Sequence, residues 1–555
     1  VPPAVVDAIR ECLAAEPEAR PAMVAVARTL AAAYVNSRAA AAASVAASSS
    51  SAAARDAMLQ LALKTTSKKA TRALVFSGAG GGVAVTLQVF ITDVVVVRAA
   101  CTALRNLSKA CSAAVATQLQ NCGAGKALVA AVRAHARDTE VLRAACDSLY
   151  NLAEVESVCR LLVQCDGVGG ALVAALHSDA SDLAVARVVC ITLQNLSVVP
   201  DQALALQLDG GGAAIIATLQ RYTEDAEVAN AACGALWNMA AVEANRYALA
   251  IGGAGAVVVA ALQQHAGNSI VSQSGCTALR NLAISQASRK ALLARDGTVV
   301  GAAVVAVLKQ HADNASLAYS ALCALWNICI ETEYCTGIPL VNDHSAVAAI
   351  VAAAQLHSDD VDVARVVCGV LRQLAASTDT CELLGQNASF CAVVVAALQR
   401  NSSDVEVAAE GCWALCNVSR VESGRTLLAQ DDNASACVEV VVDLLRHHVG
   451  NGAVVEAACS TLWALAESRT VQMALPQVEG AGAAVLAALQ HHVASDANTV
   501  YAVTGVLRYL AGFSCLHAML GPLTGEHAAA LRGIMDAFPD KDLQLHCDDV
   551  LTLLR

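Results

Sequence analysis

One seven-residue phrase recurs ten times along this 555-residue chain and limits its possible folds more than any other feature. It reads CTALRNL from Cys101, CDSLYNL from Cys146, CITLQNL from Cys190, CGALWNM from Cys233 and CTALRNL again from Cys276. It continues as LCALWNI from Leu322, CGVLRQL from Cys368, CWALCNV from Cys412, CSTLWAL from Cys459 and TGVLRYL from Thr504. The sixth residue of each phrase serves as a marker: Asn106, Asn151, Asn195, Asn238, Asn281, Asn327, Gln373, Asn417, Ala464 and Tyr509. Successive markers lie 45, 44, 43, 43, 46, 46, 44, 47 and 45 residues apart. A period that regular is the signature of stacked structural repeats.

Within each phrase the Cys, the Leu three residues on and the apolar residue three further on share one face of a helix. One unit cannot bury that face alone, so neighbouring units must stack. The rest of the unit follows a fixed order. A Gly-rich turn (Gly169-Gly170, Gly210 to Gly212, Gly252-Gly253) precedes an Ala/Val/Leu helix such as Ala171–Leu176 or Ala256–Leu262. A polar turn (His177–Asp179, His311–Asp313) leads into the marker helix, and a shorter segment such as Arg289–Ala294 closes the unit. Glycine is expected there because it tolerates the positive φ that ends a helix. The expected fold is all-α, an α-α superhelix of about ten repeats.

Composition agrees with close helix-on-helix packing: 56% of residues are hydrophobic but only 3% aromatic. The net charge of −12 argues against a nucleic-acid binder, which needs a basic face. The 22 cysteines follow the helical phrase and form no Cys-x-x-Cys or Cys/His zinc pattern. They read as reduced, buried thiols of a cytoplasmic protein, with a nuclear location also open. Apolar runs such as Gly301–Leu308 are too short to span a membrane, and no signal peptide is visible.

The unit length, its order and the stretch Cys-x-x-Leu-x-Asn-Leu resemble the armadillo repeat, over residues 57–555. The flavour is closest to the armadillo regions of leucine-rich-repeat kinases. Residues 1–36 are similar instead to the last helices of a protein kinase domain, through Pro2-Pro3, Cys12-Leu13, Glu16-Pro17, Arg20-Pro21 and a helix from Ala22. That resemblance gives Arg20 a structural role. The glycine-rich loop, the lysine strand, the His-Arg-Asp loop and Asp-Phe-Gly are all missing, so the chain reads as a fragment of a kinase–armadillo protein and not as an enzyme. Residues 37–56, rich in Ala and Ser, read as a linker.

The resemblance implies where partners bind. In armadillo proteins the marker amides line a groove and hydrogen-bond the backbone of an extended peptide, which here assigns Asn106, Asn151, Asn195, Asn238, Asn281, Asn327, Gln373 and Asn417. A carboxamide suits this because it both donates and accepts. The competing reading ties adjacent repeats together through the same amides. The residue before each marker borders the groove: Arg105, Tyr150, Gln194, Trp237, Arg280, Trp326, Arg372, Cys416, Trp463 and Arg508. Arginine and tryptophan are interface hot-spot types, and packing between repeats is their alternative role. Only Trp413 with Asn417 has the Trp-x-x-x-Asn spacing of nuclear-import receptors, so that function is not expected.

Histidines recur after the second helix of the unit, at His135, His177, His265, His311, His357, His447-His448 and His491-His492, where they are expected to cap carbonyls. No metal, cofactor or catalytic group is assigned. The expected function is a monomeric scaffold that binds protein partners as extended segments. The alternative is a regulatory or substrate-recruiting region of a kinase whose catalytic part is absent.

Overall fold

The structure, a computed structural model, describes residues 50–63, 68–76, 78–109, 112–165, 167–178, 182–330, 344–513, 519–520 and 524–553. The expected kinase-lobe remnant, residues 1–36, lies outside them, as does most of the expected linker. Among the described residues there are helices and turns and no strand. They divide into two compact units, one ending at Gln264 and the other beginning at His265.

In the first unit the marker helices are α1 (Ser51–Leu63), α2 (Val94–Ser108), α3 (Thr139–Ala153), α4 (Leu183–Leu196) and α5 (Ala226–Ala241), each packed on the next. In the second they are α6 (Ser269–Leu282), α7 (Ala315–Cys329), α8 (Val361–Leu374), α9 (Val405–Ser419), α10 (Gly452–Ala466), α11 (Ala497–Gly512) and α12 (Lys541–Leu553), again packed in order. Two of these carry no recurring phrase. Helix α1 begins inside the stretch read as a linker, where alanine, the best helix former, is abundant. Helix α12 has Cys547 at the anchor slot but Val550 where the phrase has Leu.

The anchor face is buried as the spacing requires. On α4, Val185, Val189, Cys190, Leu193 and Leu196 are all 0% exposed. Each such leucine contributes about 1.5–3 kcal/mol by burial, and Leu193→Ala would cost about 2–5 kcal/mol once the cavity is counted.

Two of the three expected glycine turns carry the positive φ within them, at Gly210 and Gly253, and one is displaced. In the third repeat the positive φ, 74°, falls on Gly167, while Gly169 and Gly170 are inside the helix Val168–His177. Gly169 is needed for closeness instead: a Cβ there would stand 2.8 Å from Leu206 Cδ2. Gly78, Gly123, Gly210, Gly253 and Gly480 hold the same left-handed position in their repeats.

His447 meets a carbonyl of its own helix as expected, with Nδ1 2.7 Å from the Asp443 carbonyl, whereas other histidines act differently. His135, His311, His357, His448 and His492 place Nε2 2.6–2.7 Å from Ile91, Ala266, Ala312, Ser402 and Val449 carbonyls of the preceding repeat. They join turns 43–46 residues apart rather than cap their own helix. In the third repeat Ser178 makes the equivalent bond, to the Ala136 carbonyl, and His177 is exposed.

Candidate functional site

Thirteen residues before every marker stands an Asp or Asn: Asp93, Asp138, Asp182, Asp225, Asn268, Asn314, Asp360, Asp404, Asn451 and Asp496. Each accepts a hydrogen bond from a first-turn backbone N–H of its marker helix. Five residues after the cap, Arg98, Arg143, Arg187 and Arg365 reach the cap of the next repeat, pairing with Asp138, Asp182, Asp225 and Asp404. The Arg98–Asp138 pair closes to 2.5 Å and the Arg365–Asp404 pair to 2.8 Å. The Arg98 guanidinium beside Asp138, and Arg187 beside Asp225, hold those carboxyls below the usual carboxylate range. An Asn cap follows a non-arginine: Gln273 precedes Asn314 and Ala409 precedes Asn451. At α10 the sign inverts. Glu456 occupies the arginine's place, and burial together with the like charge of Asp496 raises its pKa.

Seven of the eight marker amides fall into two groups. Asn106 Nδ2 donates to the Ala62 carbonyl (3.3 Å), Asn151 Nδ2 to Ser108 Oγ (2.9 Å), Asn238 Nδ2 to the Gln194 carbonyl (3.0 Å) and Asn327 Nδ2 to the Arg280 carbonyl (3.0 Å). These four therefore bridge to the preceding marker helix. The side chains of Asn195, Gln373 and Asn417 make no hydrogen bond among the described residues. Asn281 is buried.

The residues before the markers reach forward in the same way. Arg105 approaches Asp147 (3.9 Å), Arg372 pairs with Glu410 (3.0 Å) and Arg508 with Asp549 (2.6 Å). Arg280 lies over the Tyr319 ring at 6.0 Å. Trp326 covers Gly369 and Trp463 covers Gly505 so closely that a Cβ would come within 2.8 Å and 2.3 Å of the indoles. Gln194 covers Gly234 in the same register, at 2.3 Å from such a Cβ. Trp463 also meets Tyr501 and His546 (ring centroids 5.8 and 5.7 Å). Trp237 remains 36% exposed. Tyr150 stays on its own helix, its hydroxyl donating to Glu154 at 2.6 Å. Inter-repeat packing thus occupies most of these side chains.

Among the described residues, two concavities include a marker amide in their lining. One, of about 420 Å³, is lined by Glu154, Cys159, Arg160, Asn195 and Pro200 among others. The other, of about 290 Å³, has Trp413 and Trp463 as walls, with Cys416, Asn417 and Ser460, and Arg420 and Glu467 beside them. Each contains one of the marker amides that makes no bridge. The sequence alone could not separate these amides, but the caps and their arginines, at constant offsets of thirteen and eight residues before the marker, were open to view in it.

The anchor-slot thiols are chemically quiet: burial pushes Cys101, Cys190, Cys233, Cys368 and Cys459 up to about 12. Cys323, Cys329, Cys412 and Cys416 are buried and free as well. Among the described residues no three His, Cys, Asp or Glu side chains gather as a metal site. No single described helix is long and apolar enough to cross a membrane.

No family model matches the chain, and no curated relative does. Among solved structures it is similar to one from work on a phosphorylation switch that controls the interaction between cadherin and beta-catenin. The two share 15% identity with a TM-score of 0.70, over 89% of this chain and 99% of that one. At that identity the likeness speaks for the fold. With the repeat geometry, it places the chain among all-α superhelical solenoids of the armadillo-like kind.

Proposed function

We propose that the chain is a protein-interaction scaffold whose marker-helix face holds extended segments of partner proteins. The observation that carries this reading is the coincidence of concavities with unbridged amides: Asn195 lines one and Asn417 the other. An amide with a free donor and acceptor can pair with any peptide group, which is how a repeat surface binds a strand-like ligand. The similar structure comes from a study of beta-catenin with cadherin, a protein partner, which agrees with the class of ligand. Contact is assigned to Asn195, Gln373, Asn417 and the indoles of Trp413 and Trp463, with Asn106, Asn151, Asn238 and Asn327 holding the repeats in register. A monomer in a reducing compartment, cytoplasmic or nuclear, belongs to the same proposal. The regulatory-region alternative rests on residues 1–36, outside the described structure.

The test is a displayed library of unstructured peptides selected against the whole chain. Enriched peptides should lose at least tenfold in affinity for Asn195→Ala or Asn417→Ala while circular dichroism stays unchanged. Peptides that bind both variants as tightly as the unaltered chain would refute the assignment of these amides.

A further inference from the structure

Cys391 and Cys437 differ from the anchor-slot cysteines. They lie on the helices Ala388–Arg400 and Asp431–His447, the second helices of two successive repeats. Their sulfurs are 3.4 Å apart, and the side chains are 1% and 0% exposed. The helices that carry them pack directly on each other and on α9 and α10 respectively. Burial alone would suppress both thiolates, as it does at the anchor slots. Instead, the two thiols share a hydrogen bond in which either sulfur can donate, and this bond lowers the Cys391 pKa and raises that of Cys437. One sulfur is thereby prepared as a nucleophile and its neighbour keeps a proton to give away.

We propose that Cys391 and Cys437 form an oxidation site that closes to a disulfide bond between two successive repeats when a hydroperoxide reaches it. The Cys391 thiol loses its proton to solvent. Its thiolate attacks one oxygen of hydrogen peroxide, breaking the O–O bond to give Cys391 sulfenic acid and hydroxide, which solvent protonates. Cys437 sulfur then attacks the sulfenic sulfur. The S–S bond forms, the S–O bond breaks, and the Cys437 proton leaves with the hydroxyl as water. Two thiols and one peroxide give one disulfide and two waters, the peroxide being the species reduced.

A disulfide needs its sulfurs about 2.05 Å apart, so the pair must close by a little over 1 Å, within reach of small χ1 rotations on helices already in contact. Because both sulfurs are buried, reaction proceeds through brief local opening rather than at the resting surface. The product would tie together the repeats that carry Trp413 and Trp463, the walls of the smaller concavity. The chemistry stands whether or not that concavity binds a peptide.

The whole folded chain is treated with hydrogen peroxide, residual thiols are alkylated after denaturation, and the digest is examined by mass spectrometry. Two of the 22 thiols should disappear first. The corresponding product should be a Cys391–Cys437 linked peptide pair that a dithiol reductant releases. In Cys437→Ser the link should vanish and dimedone should trap a sulfenic acid at Cys391. In Cys391→Ser, checked for folding by circular dichroism, neither product should form. If peroxide consumes the half-buried Cys122 and Cys165 while Cys391 and Cys437 are recovered as alkylated free thiols, the site is refuted.

Discussion

The marker face of the first unit and that of the last repeats follow the same geometry with different chemistry. From α2 to α5 the cap positions are joined by three consecutive arginine–aspartate pairs, Arg98–Asp138, Arg143–Asp182 and Arg187–Asp225. Three of the first four marker amides there also reach back to the preceding repeat. From α9 to α11 the ladder gives way to Ala409, Glu456 and Tyr501, and the markers read Asn417, Ala464 and Tyr509. In their place stand two indoles around a concavity, with Tyr501 and His546 against Trp463. The first region uses most of its polar marker-face side chains to join repeats, whereas in the second the cap pairs are gone and Asn417 makes no bridge, although Arg508 still pairs with Asp549. The same slot therefore serves register in one repeat and recognition in another, depending on what the neighbouring repeat offers.

The most damaging way to break the comparison is to fill the space beneath an indole. Gly505→Val must displace Trp463, because the Cβ alone would lie 2.3 Å from the ring. Overpacking of this kind costs about 1–3 kcal/mol, read as a lower urea midpoint. Trp463→Ala in the same chain should recover part of the loss, since the two residues share one contact.

Next come the amides. Asn238→Ala and Asn327→Ala each remove a bridge to the preceding helix and should each lower stability by about 0.5–1.5 kcal/mol. Asn195→Ala and Asn417→Ala should stay within about 0.5 kcal/mol of the unaltered chain. Equal losses in both sets, by urea unfolding, would erase the distinction between bridging and free amides.

A smaller effect should appear on repairing the ladder. Glu456→Arg places a cation opposite Asp496, as in the first unit, and should stabilise by about 0.5 kcal/mol or less, because the pair is largely solvated. Raised salt should weaken the gain.

The smallest change is one of pH dependence. Arg187 lowers the pKa of Asp225 below its unfolded value of 3.8. The resulting stability is complete above that value and is lost as the pH falls through the lower, folded pKa. Asp225→Asn should therefore be less stable than the unaltered chain at neutral pH, with the difference vanishing as the pH falls through the lowered Asp225 pKa. A difference that grew on acidification would have the wrong sign for this pair.

Much of the fold was legible because the period, the cysteine anchor and the leucine spacing are all properties of one helix face. The caps were legible too, since Asp or Asn holds that place in all ten repeats. Helix α1 was hidden by Ala/Ser low complexity, which has no apolar stripe to read. Helix α12 was hidden because Val550 and Thr552 stand in the leucine and marker slots of the phrase; Arg508, the residue before the last marker, pairs with its Asp549. The division of the amides could not be read at all. Whether Asn238 reaches a carbonyl and Asn195 does not is decided by the placement of one helix against its neighbour, and both positions carry the same residue.

Peptide affinity tests the central claim most directly, compared across Asn238→Ala/Asn327→Ala and Asn195→Ala/Asn417→Ala in the whole chain. With a peptide selected from the displayed library, the account predicts at least a tenfold loss for the second pair and little change for the first, provided both remain folded. Loss confined to the Asn238/Asn327 pair, or to neither, would contradict it.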